Sequence, residues 1–175
     1  MRIIEDITFQ CGGETDKSAL SALRLHPELP AGSHCVYIYS LADSEITYPN
    51  EAGAVIYIGE ACRVNEPSGV RFAGHISKSL TEGNNFTTNH TVTAYYYRKR
   101  RLRLQIYRLD TCASDSDRKA IEKRLIARHV KRFGAQPIGQ GTTGPSYTPK
   151  AIVNLMPTPE EDAAIAVGLR SLAVG

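Results

Sequence analysis

Two stretches in the first half of the chain are almost continuously apolar and rich in Val, Ile and Tyr. They are Cys35-Val36-Tyr37-Ile38-Tyr39-Ser40-Leu41 and Ala54-Val55-Ile56-Tyr57-Ile58-Gly59. The polar link of residues 42–53 joins them, so they read as two strands of a hairpin with a long loop. Pro49-Asn50 marks a turn in that link, and residues 45–48 have room for one more β-type piece. Ser68 is placed to cap a helix over residues 69–80. Arg71 and His75, four apart, would share one side of it. Residues 86–97 fit either a strand or a short helix starting near Thr88. Between Arg101 and Leu109 the alternation is clean: Leu102, Leu104 and Ile106 interleave with Arg101, Arg103, Gln105 and Tyr107. That pattern predicts a strand with one apolar and one basic-aromatic face. Asp115-Ser116-Asp117 opens a helix that runs to Phe133, where Gly134 ends it. Residues 139–149 form a loop rich in Gly, Thr and Pro. Thr158-Pro159-Glu160-Glu161 is a capping box that starts a last helix reaching Leu172. Residues 1–33 read as a mixed leader, with a helix over 16–25 that stops before Pro27 and Pro30.

The 175 residues suffice for one domain with its own core, and the 42% of hydrophobic residues excludes a disordered tail. No run approaches the roughly 18 apolar residues of a membrane span, and the start has no stretch resembling a signal peptide. Cys11, Cys35, Cys62 and Cys112 show no C-x-x-C spacing, which argues against zinc and for a reduced, cytoplasmic protein. The net charge of +3 hides a separation. Residues 98–134 hold 13 Lys and Arg against 4 Asp and Glu, a balance of +9, while the rest holds 8 against 14. A field of that shape draws polyanions. Arg98, Lys99, Arg100, Arg101, Arg103 and Lys123 are the candidate nucleic-acid contacts, with a solvated outer sheet face as the plain alternative.

The helix over 115–133 carries one anomaly. At about 100° per residue, Ile121, Leu125, Ile126, Val130 and Phe133 form its apolar face, and Glu122 falls near the middle of that face. His129 lies close by. A carboxylate aimed at a core is costly unless something pairs with it. A metal ion, Arg71 or a buried hydrogen-bond network would serve, and so would an ordinary ion pair at the rim of the face. Tyr39, Tyr95, Tyr96 and Tyr97 read as sheet packing.

Cys35-Val36-Tyr37, Tyr57-Ile58-Gly59, Arg71, His75 and Glu122 stand in an order and spacing that resembles the GIY-YIG nuclease superfamily. The likeness covers residues 32–141. Cys35 stands where the family usually has Gly, and about four extra residues precede Arg71. In the family an asparagine follows the glutamate by about a dozen residues. Here Gln140, or else Gln136, is left to take its place.

The resemblance implies an α/β (α+β) fold: a small three-stranded, mainly antiparallel sheet flanked by helices. That domain would span residues 34–141, with a leader at 1–33 and a C-terminal loop and helix at 142–175. It implies a metal-dependent endonuclease acting on DNA, RNA not being excluded. Glu122 would hold one Mg²⁺ or Mn²⁺ ion, Tyr37 or Tyr57 would activate water, and Arg71 would bind the phosphate. His75 and Gln140 complete the implied site, and a homodimer could read a palindrome. A nucleic-acid-binding module that keeps the fold without cleavage is one further reading. An interaction domain whose basic face meets an acidic protein is another.

Overall fold

A computed structural model describes residues 1–69, 89–141 and Ala164. The helix expected over 69–80, with Arg71 and His75, lies outside the described residues, as does nearly all of the expected C-terminal helix. The described elements are β1 (Arg2–Phe9), α1 (Glu14–Arg24), β2 (Cys35–Leu41), β3 (Ile46–Thr47), β4 (Ala52–Gly53), β5 (Val55–Ala61), α2 (His90–Tyr97), β6 (Leu102–Arg108) and α3 (Asp115–Phe133). They make an α+β fold. A four-stranded antiparallel sheet has the order β1-β6-β2-β5, and β3 and β4 form a small hairpin in the link between β2 and β5. No helix among the described residues is long and apolar enough to cross a membrane.

The sheet has four strands where three were expected, because the leader supplies one. β1 runs antiparallel to β6, pairing Ile7 with Leu104 and Phe9 with Leu102. Its register slips between Ile3 and Glu5. That bulge interrupts the period of two that would have marked the strand in the sequence. Asp16, where the helix was expected to begin, sits inside the first turn of α1, which starts at Glu14. Its carboxylate accepts from Gln10 N (3.0 Å), Gly12 N (3.0 Å) and the Tyr96 hydroxyl (2.8 Å). Burial opposes its charge, but these hydrogen bonds outweigh burial and hold the carboxyl below its usual range.

Every residue of β2 is buried because helices cover both faces of the sheet. On one face Cys35, Tyr37, Tyr39, Leu104 and Ile106 meet Leu20 and Leu23 of α1 and Val92 and Tyr96 of α2. On the other, Val36, Ile38, Ile58 and Tyr107 meet Leu125, Ile126 and Phe133 of α3. The expected basic-aromatic face of β6 is therefore not an outer face: Gln105 and Tyr107 are 1% and 7% exposed. Arg103 spends its guanidinium on Asp6, through Nε–Oδ1 at 2.7 Å and Nη2–Oδ2 at 2.6 Å.

Residues 90–97 resolve as helix. The Asn89 side chain accepts from Thr91 N (3.1 Å) and Val92 N (3.0 Å), and that cap outweighs the strand preference of Thr and Tyr. Tyr95, Tyr96 and Tyr97 are thus helical rather than part of the sheet. α3 is capped by Ser114, whose Oγ accepts from Asp117 N, and ends at Gly134 with φ +81° as its spacing required.

His129 of α3 is fully buried. Its ring lies 4.4 Å from that of Phe133 and 4.8 Å from that of Tyr48, centroid to centroid. Nδ1 donates to Ala135 O at 2.7 Å, and burial pushes the imidazole down from 6.5 to about 4. The unfolded chain therefore binds the proton first. Stability from this residue is full above pH 6.5 and is lost as pH falls towards 4. Between pH 7.5 and 4.5 the loss amounts to about 2 to 3 kcal/mol. Urea unfolding at both pH values should show a drop smaller by that amount in His129→Gln. An equal drop in both proteins would remove His129 from the account.

Candidate active site

The runs that carry Tyr37 and Tyr57 lie side by side in β2 and β5. Tyr37 pairs with Gly59, and Tyr39 with Tyr57, across β2 and β5. Strand alternation then puts the side chains of Tyr37 and Tyr57 on the same face. Their ring centroids are 6.0 Å apart, and the Tyr39 ring stands edge-on to Tyr37 at 6.1 Å. Tyr37 is 0% exposed, whereas Tyr57 is half-buried. Burial also pushes the Tyr39 phenol well up, so Tyr39 is a packing residue that stays protonated.

Gly59 is what makes the Tyr37 position possible. A Cβ at Gly59 would sit 2.5 Å from Tyr37 Cζ, 2.6 Å from its hydroxyl and 2.8 Å from Tyr57 Cε1. The ring lies where any other side chain would start. Gly59→Ala should cost about 1–3 kcal/mol by overpacking and displace both rings. Urea unfolding reads the first effect, and altered aromatic ring shifts in NMR read the second. Unchanged ring shifts would show that the rings do not need the space.

The outer edge of β5 is covered by the segment that follows α3. Gly139 N donates to Ile56 O (2.7 Å), Gln140 Oε1 accepts from Ile58 N (3.3 Å), and Asn89 Nδ2 donates to Gly139 O (2.9 Å). Gly139 allows this closeness, since a Cβ there would be 2.9 Å from Ile56 O. Gln140 is thereby brought to the backbone between Tyr57 and Gly59. Gln136 is half-buried in the turn after α3. Asn89 went unnoticed in the sequence. The signal was available, because an Asn directly before a helical stretch is a preferred cap.

Glu122 lies half-buried on α3, one turn from Arg118 on one side and Ile126 on the other. It therefore belongs to the stripe that faces the sheet. α3 packs on the face opposite the tyrosine side chains. β5 is an edge strand of the sheet, and its edge carries Gln140.

Arg118 was counted among the basic residues of this helix, but it turns inward. Its guanidinium is ion-paired with Glu60 of β5, the two side chains being 5% and 8% exposed. It also pairs with Asp115 (2.6 Å) and donates to His34 Nδ1 (3.2 Å). Burial opposes the charge, yet Glu60 and Asp115 outweigh it and raise the guanidinium pKa. Ligand atoms of His34, Cys62 and Asp115 lie within 4.8 Å of one another. That trio does not fit a hard divalent ion. Its thiol is a soft donor and its imidazole a borderline one, and Arg118 already supplies the positive charge there.

Among the expected nucleic-acid contacts, Arg98, Lys99, Arg100 and Arg101 are exposed on the turn from α2 to β6, and Lys123 is exposed on α3. Arg103 is committed to Asp6. Comparison with protein-family models, with curated proteins and with solved structures gives no match.

Proposed function

We propose that this chain is a metal-dependent endonuclease of the GIY-YIG type that hydrolyses phosphodiester bonds in DNA. The observation that carries the reading is the register of β2 and β5. It sets Tyr37 opposite Gly59, with Tyr57 beside it and Gln140 bonded to Ile58. These are the two triplets of the resemblance, with Gln140 in place of the asparagine that the family carries downstream.

Glu122 fits the metal: it offers hard carboxylate oxygens from a half-buried position, and Mg²⁺ accepts one protein carboxylate plus waters and substrate oxygens. A bound Mg²⁺ or Mn²⁺ lowers the pKa of water and offsets charge on the scissile phosphate. Tyr57 keeps exposed surface, so its phenolate is the group that takes the water's proton and becomes the phenol. Tyr37, fully buried, holds the Tyr57 ring and the edge of β5 in place. Arg71 binds a non-bridging oxygen through its fork of donors.

The test is supercoiled plasmid incubated with purified protein and Mg²⁺, Mn²⁺ or EDTA. Nicked or linear DNA with either metal, and none with EDTA, is the expected result. Plasmid left intact under both metals, yet retarded in a gel at low salt, would replace this reading with the binding module. The complete burial of Tyr37 favours that alternative.

A further inference from the structure

The turn from α2 to β6 holds the longest run of cations in the chain, Arg98-Lys99-Arg100-Arg101, and all of them are exposed. Among the described residues none of them forms an ion pair, whereas Arg2, Arg63, Arg103, Arg108, Arg118 and Arg132 all do. The backbone beneath them is tied down. Arg98 N donates to Ala94 O (3.1 Å), Lys99 N to Tyr96 O (3.0 Å) and Arg100 N to Tyr95 O (3.1 Å). Arg101 O accepts from Ala42 N (2.8 Å), and Arg100 O accepts from the Cys11 thiol. Lys99 takes a left-handed φ of +57°, which costs a non-glycine residue and tightens the turn. A favourable helix C-terminus accounts for a cation at Arg98. It does not account for further like charges held in a fixed array beyond it.

An aromatic ring stands next to this array. Tyr97 is 50% exposed, the largest exposure among the aromatic side chains of the described core elements. It is braced by Tyr96, ring to ring at 5.5 Å and 89°. Tyr96 is in turn fixed through its hydroxyl to the buried Asp16 carboxylate (2.8 Å). One ring is thus held rigid with open surface, directly before a run of free cations. That is the chemistry of a stacking platform beside a phosphate track. A base inside a duplex has both faces covered by its neighbours, so the platform selects a strand whose bases are free.

We infer that Tyr97 and the Arg98–Arg101 turn grip an unpaired nucleic-acid strand, the ring stacking on a base while the cations contact the phosphates beside it. The grip shares a polyanionic ligand with the endonuclease reading but none of the residues given a role in cleavage. It is therefore measured in EDTA, where cleavage plays no part.

The experiment is fluorescence anisotropy with a labelled oligothymidylate, with a duplex of equal length, and with a polyglutamate competitor. The oligothymidylate should bind at least about 5-fold tighter than the duplex, and polyglutamate should not displace it. Tyr97→Ala should weaken oligothymidylate binding roughly 5- to 100-fold at an unchanged salt slope, with Tyr97→Phe close to wild type. The triple variant Arg98→Gln, Lys99→Gln, Arg100→Gln should lower the slope by about 2, at roughly 0.7 per phosphate contact on a single strand. All these positions are exposed, and thermal unfolding should confirm folded variants. Equal duplex and single-strand affinity with no effect of Tyr97→Ala would overturn the grip and leave a plain basic patch. Displacement by polyglutamate would overturn it in favour of an acidic protein partner. Oligothymidylate binding without plasmid cleavage would sink the endonuclease reading alone.

Discussion

Glu122→Gln should reduce metal-dependent plasmid cleavage by about 10²- to 10³-fold or more, the scale seen when one preorganised charge-stabilising group is lost from a site. The isosteric amide keeps the shape of the half-buried side chain, so stability should shift by less than about 1 kcal/mol. A cleavage loss without a stability loss separates a site role from a packing role. The surroundings of Glu122 sharpen the expectation. Arg118, Lys119, Lys123, Arg124, Arg128, Lys131 and Arg132 share its helix, and Glu122 is the only acid from residue 118 to 133. One carboxylate in so positive a field attracts a divalent cation weakly until DNA phosphates add their own charge and oxygens. Half-saturating Mg²⁺ should therefore fall as DNA concentration rises, and Glu122→Gln should lose that dependence along with cleavage. Wild-type cleavage rates in Glu122→Gln would remove the carboxylate from the mechanism.

What could be read from the chain follows the physics of each element. β2, β5, β6 and α3 were legible because continuous apolar runs, clean alternation and a capped amphipathic stripe each carry one period over enough residues. β1 was not, because its bulge breaks the period at Ile4 and its partner lies nearly a hundred residues away in β6. The inward turn of Arg118 was hidden for another reason. Helical phase places it one turn before Glu122, but only the tertiary pairing with Glu60 gives a guanidinium cause to be buried. Gln140 shows the opposite case. It was picked by position alone, and the structure gives it a concrete partner in Ile58 N. Charge counting was the least discriminating signal. It grouped Arg103, which is locked to Asp6, with Arg98, Lys99, Arg100 and Arg101, which are exposed.

Arg118→Met should be the most damaging substitution for stability, costing about 3–5 kcal/mol. The change takes the guanidinium away from the buried carboxylate of Glu60, and such a charge is expensive to keep out of water without its counter-ion. It also removes the donor to His34 Nδ1 and the partner of Asp115. In a chain of this size the melting temperature should fall by roughly 10 °C. Salt should change the result little, because screening acts weakly on a buried pair. Arg118→Lys should recover only part of the loss, since one ammonium cannot span the three groups that the planar fork reaches. The pair Glu60→Leu with Arg118→Met should recover most of it, because apolar residues of similar volume can replace a buried ion pair at small cost. Urea unfolding of wild type, Arg118→Met, Glu60→Leu and the double variant closes the cycle, and a loss below about 1 kcal/mol in Arg118→Met would show that the pair is not a clamp. The same pair holds α3 against β5 one turn from Glu122. Cleavage by Arg118→Lys should therefore drop by more than its unfolded fraction explains, with the midpoint for Mg²⁺ shifted upward, as expected of a positioning residue.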